Sequence, residues 1–277
     1  MIPNPLSFAR RIVQFLSFGA LNANFIHSAA VSRWCLPVMN CEACMFGWLG
    51  CPVGMIRNSL TMHEFPWIPL AIVLGIGILV GRFFCGWICP IGLLQDLLHK
   101  IPSRKFPVPR WTTWIKYPVL AGSVFAAAWY IGGDSLWFFC NFCPTAGVQV
   151  VLPASIMERD ALKLFEQPAK FAATLAMLLG AVALSRPFCK ILCPIGALVA
   201  VTNKIMPWKL HLNGSSCIHC RKCERSCPMD LPVMKHQDSA VSRDAECILC
   251  HECKSACPVD AIADRGPGRA APSTNTP

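Results

Sequence analysis

The segment FCGWICPIGLL at residues 84–94 recurs as FCKILCPIGAL at residues 188–198. Each copy holds two cysteines in a Cys-x-x-x-Cys-Pro-Ile-Gly phrase, and each follows an apolar run. Two cysteines are too few for a site with four ligands, but the two copies together supply four. The repetition therefore predicts that two halves of the chain assemble one site between them.

The composition limits the classes of protein that the chain can belong to. Of its 277 residues, 54% are hydrophobic and 14% are charged. The charged fraction is well below the roughly 25% of soluble domains, which favours an integral membrane protein. The 18 cysteines are too many for casual thiol use, and the chain is too large and apolar for a disulfide-rich secreted domain. Their number indicates metal or cluster ligation.

The hydrophobic segments predict an α-helical integral membrane protein. About four transmembrane helices are expected, at roughly 12–32, 66–84, 115–132 and 169–186, near the lower limit of the ~17–25 residues that a span needs. The formal net charge of +10 lies mainly at the ends of these segments, which is typical of topology determinants and not of a nucleic-acid-binding face. We expect no nucleic-acid partner.

The membrane domain is predicted to cover residues 1–209 and to consist of two parallel repeats, at about 10–105 and 110–209. Each repeat contains a Cys-x-x-Cys pair, a short apolar segment, a return span and the Cys-x-x-x-Cys-Pro phrase. The short segments are expected to be re-entrant, because 10–14 apolar residues do not cross a bilayer. Arg82 and Arg186 precede the phrases, and we interpret them as charges that mark the inner membrane boundary.

This topology predicts one cluster at each membrane face. The inner-face cluster has the ligands Cys85, Cys89, Cys189 and Cys193, and the outer-face cluster has Cys41, Cys44, Cys140 and Cys143. Free thiols are the alternative at the inner face, and disulfides are the alternative at the outer face, which is oxidising. Cys35 and Cys51 either bridge each other or leave Cys51 to replace Cys44, since Cys51 also precedes a proline.

The strongest motif is CIHCRKCERSCP at 217–228, which is repeated as CILCHECKSACP at 247–258. Each is the C-x2-C-x2-C-x3-C-P run of bacterial two-cluster ferredoxins, in which the fourth cysteine binds the other cluster. A small α+β ferredoxin-like domain with two [4Fe–4S] clusters is predicted at 210–265, before a disordered tail at 266–277. The predicted ligands are Cys217, Cys220, Cys223 and Cys257 for cluster 1, and Cys227, Cys247, Cys250 and Cys253 for cluster 2. Zinc binding is the alternative.

On these motifs, over about residues 10–265, the chain resembles the membrane polyferredoxin family with paired Cys-x-x-x-Cys-Pro phrases. That family includes the quinol dehydrogenase membrane component of periplasmic nitrate reductase systems and the methylamine-utilisation ferredoxin-type proteins. The outer pairs Cys41/Cys44 and Cys140/Cys143 depart from the nitrate-reductase branch, which leaves the specific partner open.

The resemblance implies a membrane-bound electron-transfer subunit that passes electrons between a quinone pool and a redox partner. It would be part of an oxidoreductase and not a stand-alone enzyme, with respiratory oxidoreductase subunits or a cytochrome as partners. An assembly or metal-handling factor and a redox-sensing factor are the alternatives. The expected location is the bacterial inner membrane, as a multi-pass protein with the ferredoxin domain and both termini in the cytoplasm.

Overall fold

The computed structural model describes residues 5–22, 35–41, 44, 50–132, 135–159 and 163–266, mostly as short helices. The α-helices α1 to α14 are, in order, Pro5–Asn22, Pro52–Thr61, Trp67–Val80, Phe83–Trp87, Pro90–Leu98, Lys116–Pro118, Pro144–Ala146, Leu152–Met157, Lys163–Glu166, Pro168–Ala183, Pro187–Ile191, Pro194–Ala200, Lys222–Arg225 and Glu252–Ser255. Segments of π-helix cover Val119–Ile131 and Gly147–Val151, and 3-10 turns cover Arg110–Trp114, Phe139–Asn141, Thr202–Lys204, Val233–His236 and Val241–Arg243. The strands are β1, Lys209–Leu212, and β2, Ile262–Arg265.

The predicted transmembrane architecture is wrong. Within the described ranges, no helix has both the length and the apolar character needed to cross a bilayer. The second predicted span, 66–84, contains α3, which has 14 residues and therefore rises about 21 Å, against a hydrocarbon core of about 30 Å. The fourth, 169–186, contains α10, which has 16 residues and rises about 24 Å. Each of these predicted spans combined a helix with residues that follow its end, so the sequence overestimated the length of the helix.

Two backbone features show why these helices end where they do. After α3 the chain reverses at Gly81, whose φ is +59°. After α10 it leaves the helix at Leu184 and reaches Arg186, which has φ +48°. A left-handed residue cannot continue a right-handed helix. Part of the first predicted span, 23–32, lies outside the described residues.

The two repeats share one hydrophobic core. It runs from Leu21 to Val199 and includes buried residues of both halves, among them Ile56, Ile91 and Ile195. The predicted re-entrant segment of the second repeat is instead a helical run from Pro144 to Met157 whose first part packs on α10. The corresponding segment of the first repeat includes 45–49, which lie outside the described residues.

The cysteine-rich C-terminal part forms a second core around a small antiparallel sheet. Strands β1 and β2 pair with Lys209 opposite Arg265 and Leu212 opposite Ile262, so they join the beginning and the end of this part. Leu210, Leu212 and Ile262 are almost fully buried beneath the sheet, together with several cysteines. We call residues 209–265 the ferredoxin module. The predicted disordered tail, apart from Gly266, lies outside the described residues.

The ferredoxin module packs directly on the repeats. A Cβ added at Gly86 in α4 would lie 2.4 Å from the carbonyl oxygen of Ile248, so only glycine allows this approach without a shift of the backbone. The indole of Trp87 donates a hydrogen bond to the carbonyl oxygen of Leu249 at 2.9 Å. These contacts bring the second ferredoxin motif next to the first Cys-x-x-x-Cys-Pro phrase.

Candidate iron–sulfur cluster sites

The structure brings together the four cysteines of the predicted inner-face site. In each phrase the first cysteine lies in a short helix, α4 or α11, and the second is the N-cap of the next helix, α5 or α12. The proline after the N-cap suits the first helical position, where no backbone donor is needed. We call these four residues the central quartet: Cys85, Cys89, Cys189 and Cys193.

The thiols of the central quartet are close enough to influence one another's protonation. Burial, and then the charges of Cys189 and Cys85, raise the pKa of Cys89 to about 12. Burial and then the charges of Cys189, Cys85 and Cys89 raise the pKa of Cys193. Three buried thiols and the half-buried Cys85, contributed by both repeats, therefore lie near one another. Such a set has the ligand number of a cubane cluster.

Backbone and side-chain donors point at these sulfurs. The backbone N–H of Gly196 donates to Cys193 Sγ at 3.3 Å, and Gln95 Nε2 donates to Cys189 Sγ at 3.2 Å. The backbone N–H of Met39 reaches the sulfur of Cys89 and lowers its pKa slightly against the effect of burial. Hydrogen bonds of this kind to cluster sulfurs tune the reduction potential.

Arg82 and Arg186 do not mark a membrane boundary. Both are buried, with 1% of each residue exposed. Arg186 makes a two-pronged pair with Asp96, at 2.7 and 2.6 Å, and also donates to the carbonyl oxygen of Cys85 at 2.9 Å. Arg82 pairs with Glu246 at 2.9 Å. The arginine pattern was visible in the sequence, but the acidic partners lie far away along the chain.

Each arginine reaches the turn of the opposite repeat. A Cβ added at Gly196, in the second phrase, would lie 3.1 Å from the guanidinium of Arg82. One added at Gly92, in the first phrase, would lie 3.5 Å from that of Arg186. The charges of Cys85 and Cys193 raise the pKa of Arg82, and both arginines lower the pKa of Cys189 against burial. The two cations therefore stand beside the central quartet.

Within the ferredoxin module, the predicted ligands of cluster 2 lie together. Burial raises the pKa of Cys227 to about 12, with a further contribution from the charge of Cys250. Burial and the charges of Cys250, Cys247 and Cys227 raise the pKa of Cys253. Cys227 belongs to the first motif and the others to the second, so the crossed arrangement expected of two-cluster ferredoxins is present in the geometry.

The predicted ligands of cluster 1 lie nearer the surface. Cys223 is buried, Cys217 and Cys257 are half-buried, and Cys220 is exposed. Burial raises the pKa of Cys223, and the charge of Cys217 contributes. The backbone N–H of Ala261 donates to Cys257 Sγ at 3.3 Å.

The two ferredoxin motifs share an unusual backbone. His219 and Arg221 in the first loop have φ of +56° and +55°, and Leu249 and His251 in the second have +51° and +59°. Left-handed non-glycine residues are uncommon, and turns that alternate hand point successive N–H groups into a concavity that binds anions, including iron–sulfur clusters. The residues present therefore fit a bound cluster in each loop.

The predicted outer-face set is only partly assembled. Cys41, Cys140 and Cys143 line one cavity, and Cys51 lines it with them. Cys44 lies elsewhere, with its sulfur 3.9 Å from Asn22 Oδ1. Cys35 and Cys51 are both free thiols and are not bridged. In the part of the chain that the structure describes, no three Cys, His, Asp or Glu side chains converge closely enough to hold a single metal ion.

Comparison with known families identifies the cofactor. A model described as a 4Fe-4S binding domain matches residues 63–109 and 168–213, which include the two Cys-x-x-x-Cys-Pro phrases. A model described as a 4Fe-4S dicluster domain matches residues 216–262. The chain resembles the polyferredoxin family. It carries two or more [4Fe–4S] clusters.

Curated proteins with similar sequences agree with this assignment. YccM of Escherichia coli, named as a candidate electron transport protein, is 29% identical over 209 residues, which are 68% of this chain and 55% of YccM. MJ0750 of Methanocaldococcus jannaschii, described as uncharacterized, is 28% identical over 61% of this chain and 68% of its own length. The ferredoxin-type protein NapH of E. coli is 26% identical over 59% of this chain and 55% of NapH. The chain thus spans about half to two thirds of these relatives. These similarities support a role in iron–sulfur electron transport.

Proposed function

We propose that this chain is an electron-transfer subunit that connects a quinone with a redox partner through a series of [4Fe–4S] clusters. Each cluster, when bound, accepts and returns one electron. The chain itself holds the thiols, excludes water and sets the surrounding charge, which together govern the potential. The observation that carries the proposal is the direct packing of the second ferredoxin loop on the helix of Cys85.

The positions of the cysteines indicate which of them would hold each cluster. Cys217, Cys220, Cys223 and Cys257 would hold cluster 1, and Cys227, Cys247, Cys250 and Cys253 would hold cluster 2. The central quartet would hold a third cluster. The left-handed loops support the first two assignments, and the proximity of the four thiols of the central quartet, three of them buried, supports the third.

The order of the clusters follows from their surroundings. Cys220 is exposed, so cluster 1 is the point at which a soluble partner would exchange electrons. Arg186 lies near both of the last two sites, because it donates to the carbonyl oxygen of Cys85 at 2.9 Å and the charges of Cys189 and Cys250 act on it in addition to that of Asp96. A single buried cation therefore faces a ligand of the central quartet and a ligand of cluster 2. Its charge would favour the reduced, more negative state of either cluster.

A quinone, a respiratory partner and the bacterial inner membrane are the finer parts of the proposal. They are supported by the resemblance to the quinol dehydrogenase component and by the exposed aromatic surface of the repeats. Trp67, Trp111, Trp114, Trp137 and Tyr130 are each more than two thirds exposed. Amphipathic rings of this kind are enriched at membrane interfaces. The ferredoxin module and both termini would face the cytoplasm.

The relay is tested on anaerobically purified protein by iron and sulfide analysis and redox-titrated EPR. Three clusters require at least about 12 irons per chain. Cys85→Ser and Cys189→Ser should each remove the same EPR signal and leave the two ferredoxin signals, whereas Cys35→Ser, at a buried cysteine outside these sets, should remove none. Loss of different signals in the two variants, or of neither, would show that the central quartet does not share a cluster.

The quinone is tested separately. A water-soluble quinol added to the oxidised protein without oxygen should bleach the visible cluster absorbance of the wild type, and Cys189→Ser should bleach more slowly and to a smaller extent. An assembly or sensing factor would instead hold clusters that a quinol does not reduce.

The location is tested by cell fractionation. The proposal requires that the protein be found in the inner-membrane fraction.

A further inference from the structure

Another cavity is lined by cysteines of both repeats and by no residue of the ferredoxin module. It has a volume of about 330 Å³, which is roughly ten times the volume that a water molecule occupies in the liquid. Its lining also includes Arg57 and Lys170. We call its four cysteines the distal quartet: Cys41, Cys51, Cys140 and Cys143.

Cys51, and not Cys44, completes this set. Cys51 is the N-cap of α2, with φ −69° and ψ 130°, and Pro52 follows it. Cys143 is the N-cap of α7, with φ −69° and ψ 119°, and Pro144 follows it. Cys89 and Cys193 have the same arrangement in the central quartet. Each quartet thus contains one Cys-Pro turn from each repeat.

The four cysteines of the distal quartet lie around one cavity to which both repeats contribute. Cys51 and Cys143 are buried, and Cys41 and Cys140 are half-buried. The backbone of Cys41 is held by its N–H, which donates to Gln149 Oε1 at 2.7 Å.

The charges around the cavity favour an anionic occupant. Arg57 and Lys170 both line the cavity, and the described lining residues include no carboxylate. A [4Fe–4S] core with four thiolates is an anion, and buried anions require nearby cations or hydrogen-bond donors. N–H groups of Val53 and Gly54 reach the sulfur of Cys51 and supply such donors.

We propose that Cys41, Cys51, Cys140 and Cys143 bind a further [4Fe–4S] cluster, which is the end of the relay farthest from the ferredoxin module. This inference rests on the proposed function and extends it by one site.

The distal site adjoins the central quartet. Met39 lines the distal cavity, and its backbone N–H reaches the sulfur of Cys89. Phe139, also in the lining, lies 6.5 Å from Phe188 between ring centroids, and these two residues directly precede Cys140 and Cys189. The predicted separation of the two sites by a membrane span is therefore absent, and the distal site becomes the place where a quinone or second partner would exchange electrons.

The test compares Cys51→Ser with Cys44→Ser, two conservative changes at buried cysteines seven positions apart. Wild-type protein purified without oxygen should contain about 16 irons per chain, from four clusters of four irons. Cys51→Ser should contain about 4 fewer and lack one EPR signal, and Cys140→Ser should lack the same signal. Cys44→Ser should match the wild type. The two ferredoxin signals report that each variant has folded.

Other results would contradict the distal cluster, the assignment of Cys51 or the relay itself. A wild type with about 12 irons, or with zinc and no additional sulfide, would overturn the distal cluster and leave the three-cluster relay intact. Loss of the signal in Cys44→Ser but not in Cys51→Ser would refute the assignment of Cys51. A wild type with only about 8 irons would instead reject the proposed relay itself. If Cys51→Ser does not fold, Cys140→Ser and Cys41→Ser provide the same comparison.

Discussion

The carboxylate of Glu246 forms ion pairs with two buried cations. Its Oε2 pairs with Arg82 at 2.9 Å, and its Oε1 accepts a hydrogen bond from Lys116. None of the Lys116 side chain is exposed. Glu246 directly precedes Cys247, so this network joins the repeats to a predicted ligand of cluster 2.

Replacing Glu246 by Gln should lower the free energy of unfolding by about 3–5 kcal/mol, because it leaves two buried cations without a carboxylate. Arg110→Gln is the control. Arg110 pairs with Asp244 at 2.7 Å, but half of its side chain is exposed, and such pairs contribute about 1 kcal/mol or less. Anaerobic denaturant titration measures both. Equal losses of unfolding free energy in the two variants would mean that burial does not increase the contribution of the Glu246 ion pairs to stability.

Lys116 should make the stability of the protein depend on alkaline pH. Burial and the charge of Arg82 lower its pKa from 10.5 to about 8. Between these two values the unfolded chain binds more protons than the folded chain, so the folded state gains stability as the pH rises. Melting temperatures from pH 7.5 to 10.5 should therefore rise in the wild type relative to Lys116→Met. A difference in melting temperature between the two proteins that does not change with pH would contradict the lowered pKa of Lys116.

Helix α4 connects the repeats to the ferredoxin module through the backbone of a glycine, which has no side chain to keep the two parts apart. Gly86 contacts the loop at Ile248, and Gln14 of α1 donates to the carbonyl oxygen of Gly86 at 3.0 Å. α1 also reaches the module directly, because Arg10 pairs with Glu252 at 2.7 Å. Cys85 lies one residue before this contact.

Gly86→Ala should destabilise the protein by about 1–3 kcal/mol, because the added methyl group overpacks a backbone contact. It should also shift the EPR signal that depends on Cys85. The matched control is Gly75→Ala in α3, where the new Cβ meets nothing within 4 Å and helix propensity improves by up to about 1 kcal/mol. An unchanged melting temperature and signal in Gly86→Ala would show that the module can be displaced without consequence.

At the scale of the whole molecule, the two cores differ in what holds them together. The core of the repeats contains many aliphatic side chains, such as Ile56, Val73 and Ile195. The ferredoxin module contributes two helices of four residues and two strands of four residues, and cysteines form a large part of its core. Helices this short are unstable without tertiary support.

Removing the clusters with an oxidant and a chelator should therefore unfold the module before the repeats, since ligand binding supplies much of the folding free energy of such sites. Amide hydrogen exchange should show lost protection in β1 and β2 and retained protection in α2 and α3. Protein treated identically without the chelator is the control. Simultaneous loss of protection in both parts would indicate a single cooperative unit.

The cofactor could be predicted from local sequence motifs alone. Four closely spaced cysteines define a cluster-binding loop locally, and family comparison confirms the [4Fe–4S] prediction. The two Cys-x-x-x-Cys-Pro phrases also indicated a site shared between halves, and the structure brings Cys85, Cys89, Cys189 and Cys193 together.

The ends of the helices, the acidic partners of the arginines and the place of Cys51 in the distal cavity depend on contacts between distant parts of the chain. Hydropathy does not distinguish an apolar side chain that faces lipid from one that packs on another helix, so one predicted span ran past Gly81 and another extended to Arg186, beyond the end of α10. The partner of Arg82 is 164 positions away, and no local pattern reports such a contact. The sequence left open whether Cys44 or Cys51 belongs with Cys140 and Cys143, and the structure places Cys51 in the lining of their cavity while the sulfur of Cys44 lies 3.9 Å from Asn22 Oδ1.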